Sequence, residues 1–140
     1  IFESIKTKSR IVSKDEKENG IRAILNFGHT FGHAIESLTE YSVYSHGEAV
    51  AMGMIMASNM SQKMGMLSSE DTKRIKNLIE SMNLPVSSPD LDKNDFFESM
   101  KRDKKAQDGE IRLILLESIG SAKITSDYPK EVLMKTISEY

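Results

Sequence analysis

The chain has 140 residues, of which 39% are hydrophobic and 29% charged, a balance typical of one soluble globular domain with a single core. Its 19 basic and 21 acidic residues leave a formal net charge of -2, which gives no reason to expect nucleic acid or an anionic membrane as partner. There is no cysteine, which excludes disulfides, thiolate catalysis and cysteine-ligated zinc and fits a cytoplasmic location, and no apolar run approaches the ~20 residues that span a bilayer.

The first predicted elements are two helices separated by a charged turn. One helix runs from the start to about Val12, and the hydrophobic pattern of the next begins at Ile21 and allows it to continue through Glu36. Two glycines in that run, Gly28 and Gly32, each cost a helix roughly 1 kcal/mol relative to alanine. We interpret them as a close approach of the backbone to another group, as a bulky ligand pressed against it would require.

A long central helix is predicted next, after a loop at residues 41–44. Ser45 is its expected N-cap and Glu48, three residues on, completes a capping box. The helix runs to about Met64 and is apolar nearly all round at its start, which indicates that it is buried. Its methionines are interpreted as core packing and not as a soft-metal site.

The second half of the chain predicts shorter elements and completes a mainly helical domain with a small β-hairpin near residues 111–125. The predicted elements are a helix opened by Ser68 that ends before Pro85, a helix from about Asp92 into the basic run 101–105, strands at 111–116 and 122–125, and a last helix within 129–140.

The three histidines of the chain fall within eighteen residues and form a candidate metal site. His29 and His33 stand at i and i+4, so their rings lie on one helix face, and Glu36 points the same way. His46 follows the next N-cap, and a tight connection between antiparallel helices would bring it opposite that pair. Imidazoles that converge from two helices, usually with a carboxylate, suit a divalent ion of the zinc type.

Two plainer interpretations stand beside this one. A histidine in a helix is more often a surface or core residue than a ligand, and an i, i+4 pair arises by chance. The basic run at residues 101–105 is typical of a solvated helix C-terminus, where cations suit the helix dipole, more often than of an anion site.

Residues 22–36 (RAILNFGHTFGHAIE) and 45–54 (SHGEAVAMGM) closely resemble the signature of 3-dehydroquinate synthases. The resemblance extends over essentially the whole chain. Its other matching parts are Lys8, residues 15–18, Asp103-Lys104-Lys105, Gly109 and the predicted strand 111–116.

The resemblance implies an enzyme of the shikimate pathway, a lyase that converts 3-deoxy-D-arabino-heptulosonate 7-phosphate into 3-dehydroquinate and phosphate. It implies NAD and a divalent metal, Zn2+ or Co2+, as cofactors, and a homodimer. Members of this family have an N-terminal nucleotide-binding domain and a helical C-terminal domain, and residues 1–140 correspond to the helical one. The site residues that it implies are His29 and His46 as metal ligands, His33 and Glu18 as catalytic residues, and Lys8, Arg22, Asn26 and one of Lys104 or Lys105 as substrate contacts.

Two parts of the family's machinery have no counterpart in this chain. The third metal ligand implied by the resemblance is a glutamate upstream of the matching region, and no G-x-G-x-x-G segment for a dinucleotide occurs here. We therefore expect a piece of a larger enzyme that holds metal weakly and is inactive alone. The alternatives are another sugar-phosphate cyclase of the same superfamily and a non-catalytic metal-binding helical module.

Overall fold

The computed structural model describes residues 1–15, 21–103 and 110–140. It is mainly helical with one antiparallel hairpin, as the sequence predicts. None of the helices in these three ranges is long and apolar enough to cross a membrane. In chain order the elements are α1 (Phe2–Lys14), a 3-10 helix (Ile21–Asn26), α2 (His29–Leu38), α3 (His46–Lys63), α4 (Ser69–Ser81), α5 (Lys93–Asp103), β1 (Leu113–Ser118), β2 (Ser121–Thr125) and α6 (Lys130–Ser138).

Helix α3 is the central helix and contacts α2, β1, α4 and α6. It begins with the predicted capping box, in which the Ser45 side chain accepts from the Glu48 N–H and the Glu48 carboxylate accepts from the Ser45 N–H. These bonds satisfy N–H groups that the first turn leaves without helical partners. Met52, Met56 and Met60 are fully buried in the core, which confirms their interpretation as packing residues.

The predicted second helix is divided in the structure. A 3-10 helix ends at Asn26, and α2 begins only at His29. Between them Gly28 has φ +84°, in the left-handed region that side chains rarely tolerate, and it occupies the N-cap position of α2. A continuous helix from Ile21 through Glu36 is therefore wrong, because the chain changes direction at Gly28.

Helices α2 and α3 approach each other at glycines. A Cβ on Gly53 would lie 2.1 Å from the Gly28 carbonyl oxygen, and one on Gly32 would lie 3.0 Å from the Cα of Val50. The backbone of α3 therefore presses on these glycines, and the interpretation that a bulky ligand requires them is wrong. The contacts run in opposite directions along the two helices, so α2 and α3 are antiparallel.

The β-hairpin packs against the central helix. Leu113 and Leu115 alternate inward and are fully buried, whereas the outer side of the hairpin ranges from half-buried to exposed. The Leu116 N–H donates to the Ser61 hydroxyl of α3 at 2.9 Å. Pairing begins at Leu113, two residues after the predicted start at Ile111.

Helix α1 forms as predicted, but none of its residues is buried. Phe2 and Ile5 are 76% and 61% exposed. Its contacts within the described part of the chain are made mainly with the 3-10 helix. An apolar stripe on α1 therefore remains accessible.

Candidate metal centre

The three histidines converge as the sequence predicts. The His29 and His33 rings, one turn apart on α2, have centroids 5.7 Å apart. The His46 ring at the start of α3 lies 5.3 Å from the first and 5.9 Å from the second. The rings thus form a triangle in which each contacts the other two.

A tight turn closes this triangle. Glu40 and Tyr41 both adopt positive φ, at 54° and 56°, and the Tyr41 N–H donates to the Glu36 carbonyl at 2.8 Å. The chain reverses within residues 39–45, so the first residue of α3 lies beside the second half of α2. His46 reaches the other two histidines for this reason.

Each histidine has its Nδ1 beside an oxygen. The acceptors are the Phe27 carbonyl for His29 at 3.4 Å, the Asp103 carboxylate for His33 at 3.2 Å and the Glu36 carboxylate for His46 at 3.1 Å. A carbonyl only accepts, so the contact to Phe27 requires the proton on Nδ1 of His29. The same tautomer in the other two rings leaves the Nε2 lone pair of all three available.

Burial and charge keep the first histidine neutral. Burial is the largest cause that lowers the pKa of His29, and the positive charges that His33 and His46 can carry lower it further, against hydrogen bonds to the backbone of Phe27 and Asn26 that raise it. A neutral imidazole has the free lone pair that a metal ion needs. His29 is therefore in the form of a ligand near neutral pH.

Glu36 lies in the same cluster and is 8% exposed. One potential ligand atom each of His33, Glu36 and His46 lies within 4.8 Å of the others. The family resemblance instead implies the pair His29 and His46, whose rings are the nearest two of the three. His46 is a candidate ligand in both cases. Glu36 is a candidate ligand in the first group, whereas the resemblance does not assign it as one.

Glu48, the other nearby carboxylate, is occupied by its capping role. Its Oε2 accepts from both the backbone N–H and the hydroxyl of Ser45, at 2.8 Å each. These hydrogen bonds, the backbone one first, lower the pKa of Glu48. We therefore assign Glu48 to the helix terminus and not to the histidine cluster.

The other predicted site residues lie on neighbouring elements. Lys8 is exposed on α1, which packs against the 3-10 helix that carries Arg22 and Asn26. The Arg22 N–H donates to the Asp15 carboxylate at 3.0 Å, and Asn26 is half-buried two residues before Gly28. The predicted catalytic Glu18 and substrate contacts Lys104 and Lys105 lie outside the described residues.

A cavity of about 540 Å³ opens beside His33. The cavity is lined by His33, Glu36, Asp103 and the cationic side chain of Arg102. Arg102 and Asp103, which belong to the described part of the basic run, therefore contribute to a polar cavity at the end of α5. Sequence reasoning did not select Arg102 or pair Asp103 with a histidine, because no local pattern links α5 to α2.

The fold and the cluster define a helical domain that carries a three-histidine centre. Over residues 1–106 the chain matches the family described as 3-dehydroquinate synthase C-terminal. The chain belongs to this family.

Curated relatives and a solved structure agree with this assignment. The chain is 49% identical over 137 residues to the 3-dehydroquinate synthase of Acinetobacter baumannii (strain SDF), covering 98% of this chain and 38% of the relative. It is 48% identical over 141 residues to that of Hydrogenovibrio crunogenus, covering 100% and 39%. A structure of 2-deoxy-scyllo-inosose synthase complexed with carbaglucose-6-phosphate, NAD+ and Co2+ matches with a TM-score of 0.79 and 28% identity, over 96% of this chain and 40% of that one. The chain thus spans less than half the length of each.

Proposed function

We propose that this chain is the metal- and substrate-binding part of a 3-dehydroquinate synthase of the shikimate pathway. The full enzyme would convert 3-deoxy-D-arabino-heptulosonate 7-phosphate into 3-dehydroquinate and phosphate. The observation that carries the proposal is the convergence of three imidazoles, one of which lines a cavity together with Arg102, in a chain 49% identical to a curated synthase.

A divalent ion such as Zn2+ or Co2+ fits the donor set. Imidazole nitrogens with a nearby carboxylate are ligands that both ions accept, and His29 is held neutral by its burial. His29 and His46 would hold the ion, which when bound acts as a Lewis acid on a substrate oxygen. The similar 2-deoxy-scyllo-inosose synthase structure contains Co2+, which supports this choice.

His33 is the proposed proton-transfer residue. Its Nδ1 faces the Asp103 carboxylate at 3.2 Å, so its Nε2 is left to exchange a proton with substrate in the adjoining cavity. A carboxylate behind an imidazole stabilises the positive charge that forms when the ring accepts a proton. Glu18 is the second proposed catalytic residue.

The substrate carries a carboxylate and a phosphate, and cations are the groups that hold such anions. Arg102 lines the cavity itself. The other proposed substrate contacts are Lys8, Arg22, Asn26 and one of Lys104 or Lys105.

We infer that a further part of a longer enzyme completes the site. The chain spans about 38% of the length of its relatives, it has no glycine-rich dinucleotide fingerprint, and the apolar stripe of α1 is uncovered. We therefore assign the main part of the NAD site, the third metal ligand and the partner surface for α1 to an N-terminal part. A cytoplasmic homodimer, inactive when only residues 1–140 are present, completes the proposal.

The test is an assay of phosphate release from 3-deoxy-D-arabino-heptulosonate 7-phosphate with NAD and Zn2+ or Co2+. The longer enzyme that contains this chain should release phosphate, and residues 1–140 alone should not. His33→Ala should lower kcat at least ~100-fold, the lower range for loss of a general acid or base. Glu80→Gln, an exposed carboxylate on α4, is the matched control and should leave turnover unchanged. A folded, metal-loaded longer enzyme that releases no phosphate from this substrate contradicts the proposal.

The second candidate is another sugar-phosphate cyclase, favoured by the likeness to 2-deoxy-scyllo-inosose synthase at a TM-score of 0.79. Turnover of a hexose 6-phosphate in place of the heptulosonate would select it. A non-catalytic metal-binding module would instead bind Co2+ equally with and without the N-terminal part and would turn over neither substrate.

A further inference from the structure

We propose that Glu36 is a positioning residue for His46 and not a ligand of the metal ion. Its carboxylate accepts the Nδ1–H of His46 and so presents Nε2 to the ion. The inference rests on the proposed metal site for the use made of Nε2, but the pairing of Glu36 with His46 can be tested without metal.

The first argument is the difference in burial between the two partners. The Glu36 side chain is 10% exposed, whereas that of His46 is 58% exposed. A buried carboxylate needs a hydrogen-bond donor, and the His46 ring supplies one at 3.1 Å. The same hydrogen bond fixes the orientation of the His46 ring, which lies at the exposed start of α3, because Glu36 is anchored within α2.

The second argument is the common arrangement of the three rings. His29 carries its proton on Nδ1 because its neighbour, the Phe27 carbonyl, can only accept. His46 has the same geometry towards Glu36, and His33 has it towards Asp103. Ligation through Oε1 of Glu36, the oxygen that faces Nδ1 of His46, would deprive His46 of this acceptor and break the pattern.

The third argument comes from the chemistry of metal-bound imidazoles. A ligating histidine usually donates its other ring N–H to a carboxylate or carbonyl, which fixes the tautomer and raises the basicity of the ligating nitrogen. Glu36 supplies the carboxylate for His46, as the Phe27 carbonyl supplies the acceptor for His29. Loss of such an acceptor typically lowers metal affinity by roughly 10–100-fold.

The first experiment measures the tautomer of His46 in the intact, metal-free protein labelled with 15N-histidine, at a pH where imidazole is neutral. We expect the wild-type ring to be mainly in the Nδ1–H form and to shift towards the Nε2–H form in Glu36→Ala, which has no side-chain acceptor, whereas Glu36→Gln keeps a carbonyl oxygen that can still accept from Nδ1. Glu80→Gln should leave the ring unchanged. A wild-type His46 that is mainly Nε2–H overturns the inference, even where neither Glu36 variant folds.

The second experiment titrates the same proteins with Co2+ and records visible absorption. Glu36→Gln should weaken Co2+ binding by roughly 10–100-fold and leave the saturated spectrum unchanged, because the ligands stay the same. His46→Ala should change the spectrum itself, because a ligand is lost. A spectrum of Glu36→Gln that changes as that of His46→Ala does would make Glu36 a ligand and overturn the inference.

The two experiments separate this inference from the proposed function. A wild-type protein that shows the Glu36-dependent tautomer but neither binds Co2+ nor releases phosphate refutes the function and leaves the positioning role intact. A fully active enzyme in which Glu36→Ala leaves the tautomer of His46 unchanged refutes only the positioning role.

Discussion

Helices α2 and α3 bury their apolar faces, whereas helix α1 leaves its apolar face exposed. Between α2 and α3 the glycines let backbone approach backbone, and side chains such as Phe31 and Met52 are at most 1% exposed. On α1 no residue is buried, and Phe2 is 76% exposed. The difference shows that an amphipathic pattern creates a surface that can be buried, whereas burial requires a complementary surface elsewhere.

The largest expected effect is a contrast between two identical substitutions, one in each region. Phe31→Ala should lower the free energy of unfolding by about 3–5 kcal/mol, because it leaves a cavity between α2 and its neighbours. Phe2→Ala should change it by less than about 0.5 kcal/mol, because the side chain is already exposed. Urea unfolding of both variants measures the difference, and equal losses would show that α1 is packed against the core in solution.

A smaller effect is expected where the two helix backbones meet. Gly53→Ala should lower the free energy of unfolding by about 1–3 kcal/mol, because its Cβ would lie 2.1 Å from the Gly28 oxygen and force the helices apart. Gly47→Ala, on the same helix with nothing within 4 Å of its Cβ, should be neutral or stabilise by up to about 1 kcal/mol. Thermal unfolding distinguishes them, and a well-tolerated Gly53→Ala would contradict the close approach.

Substitutions at the N-caps of α3 and α4 test whether the stability of a helix start affects metal binding. Ser45→Ala and Ser68→Ala should each cost about 1 kcal/mol, because each removes an N-cap hydrogen bond. We expect only Ser45→Ala to weaken Co2+ binding as well, because it loosens the turn that carries His46. Equal Co2+ affinity in the two variants would show that the cap does not position the ring.

The last expected effect appears only at high pH. Burial, with a lesser contribution from Glu110, raises the pKa of Tyr128 to about 12, and its hydroxyl donates to the Ile111 carbonyl at 2.5 Å. The pKa of Tyr128 is about 10 in the unfolded chain and about 12 in the folded one. Its neutral phenol therefore stabilises the fold fully below pH ~10, and this stabilisation is lost as the pH rises from ~10 to about 12.

Urea midpoints between pH 8 and 12 test this expectation. Tyr128→Phe should be less stable than wild type at pH 8 and should lose less stability than wild type above pH 10. Tyr41→Phe is the control, because Tyr41 is 72% exposed. Identical pH dependence in wild type and Tyr128→Phe would assign the loss to other groups.

Several features of the fold follow from signals a few residues apart. The capping box of Ser45 and Glu48 and the second cap at Ser68 form where the sequence predicts them, and the predicted hairpin forms with its first strand shifted by two residues. They depend on hydrogen bonds and periodicity within one element, so neighbouring residues contain the information. The i, i+4 spacing of His29 and His33 likewise determines that their rings share a helix face.

The remaining features depend on residues that are distant in sequence. Gly28 interrupts the expected helix because the backbone of α3 lies against it, and sequence alone did not identify that neighbour. The acceptor of His33 is Asp103, 70 positions away. Glu36 could be placed on the histidine face, but its bond to His46 depends on how the turn between α2 and α3 closes.

The sequence by itself therefore determined the family resemblance, the order of the helices and the three histidines as a candidate centre. Tertiary structure decided which ring nitrogen each histidine presents, which carboxylate lies behind it and which apolar face stays uncovered. The physical reason is range: helix signals act over one turn, whereas packing brings together groups from separate elements whose pairing no local pattern specifies.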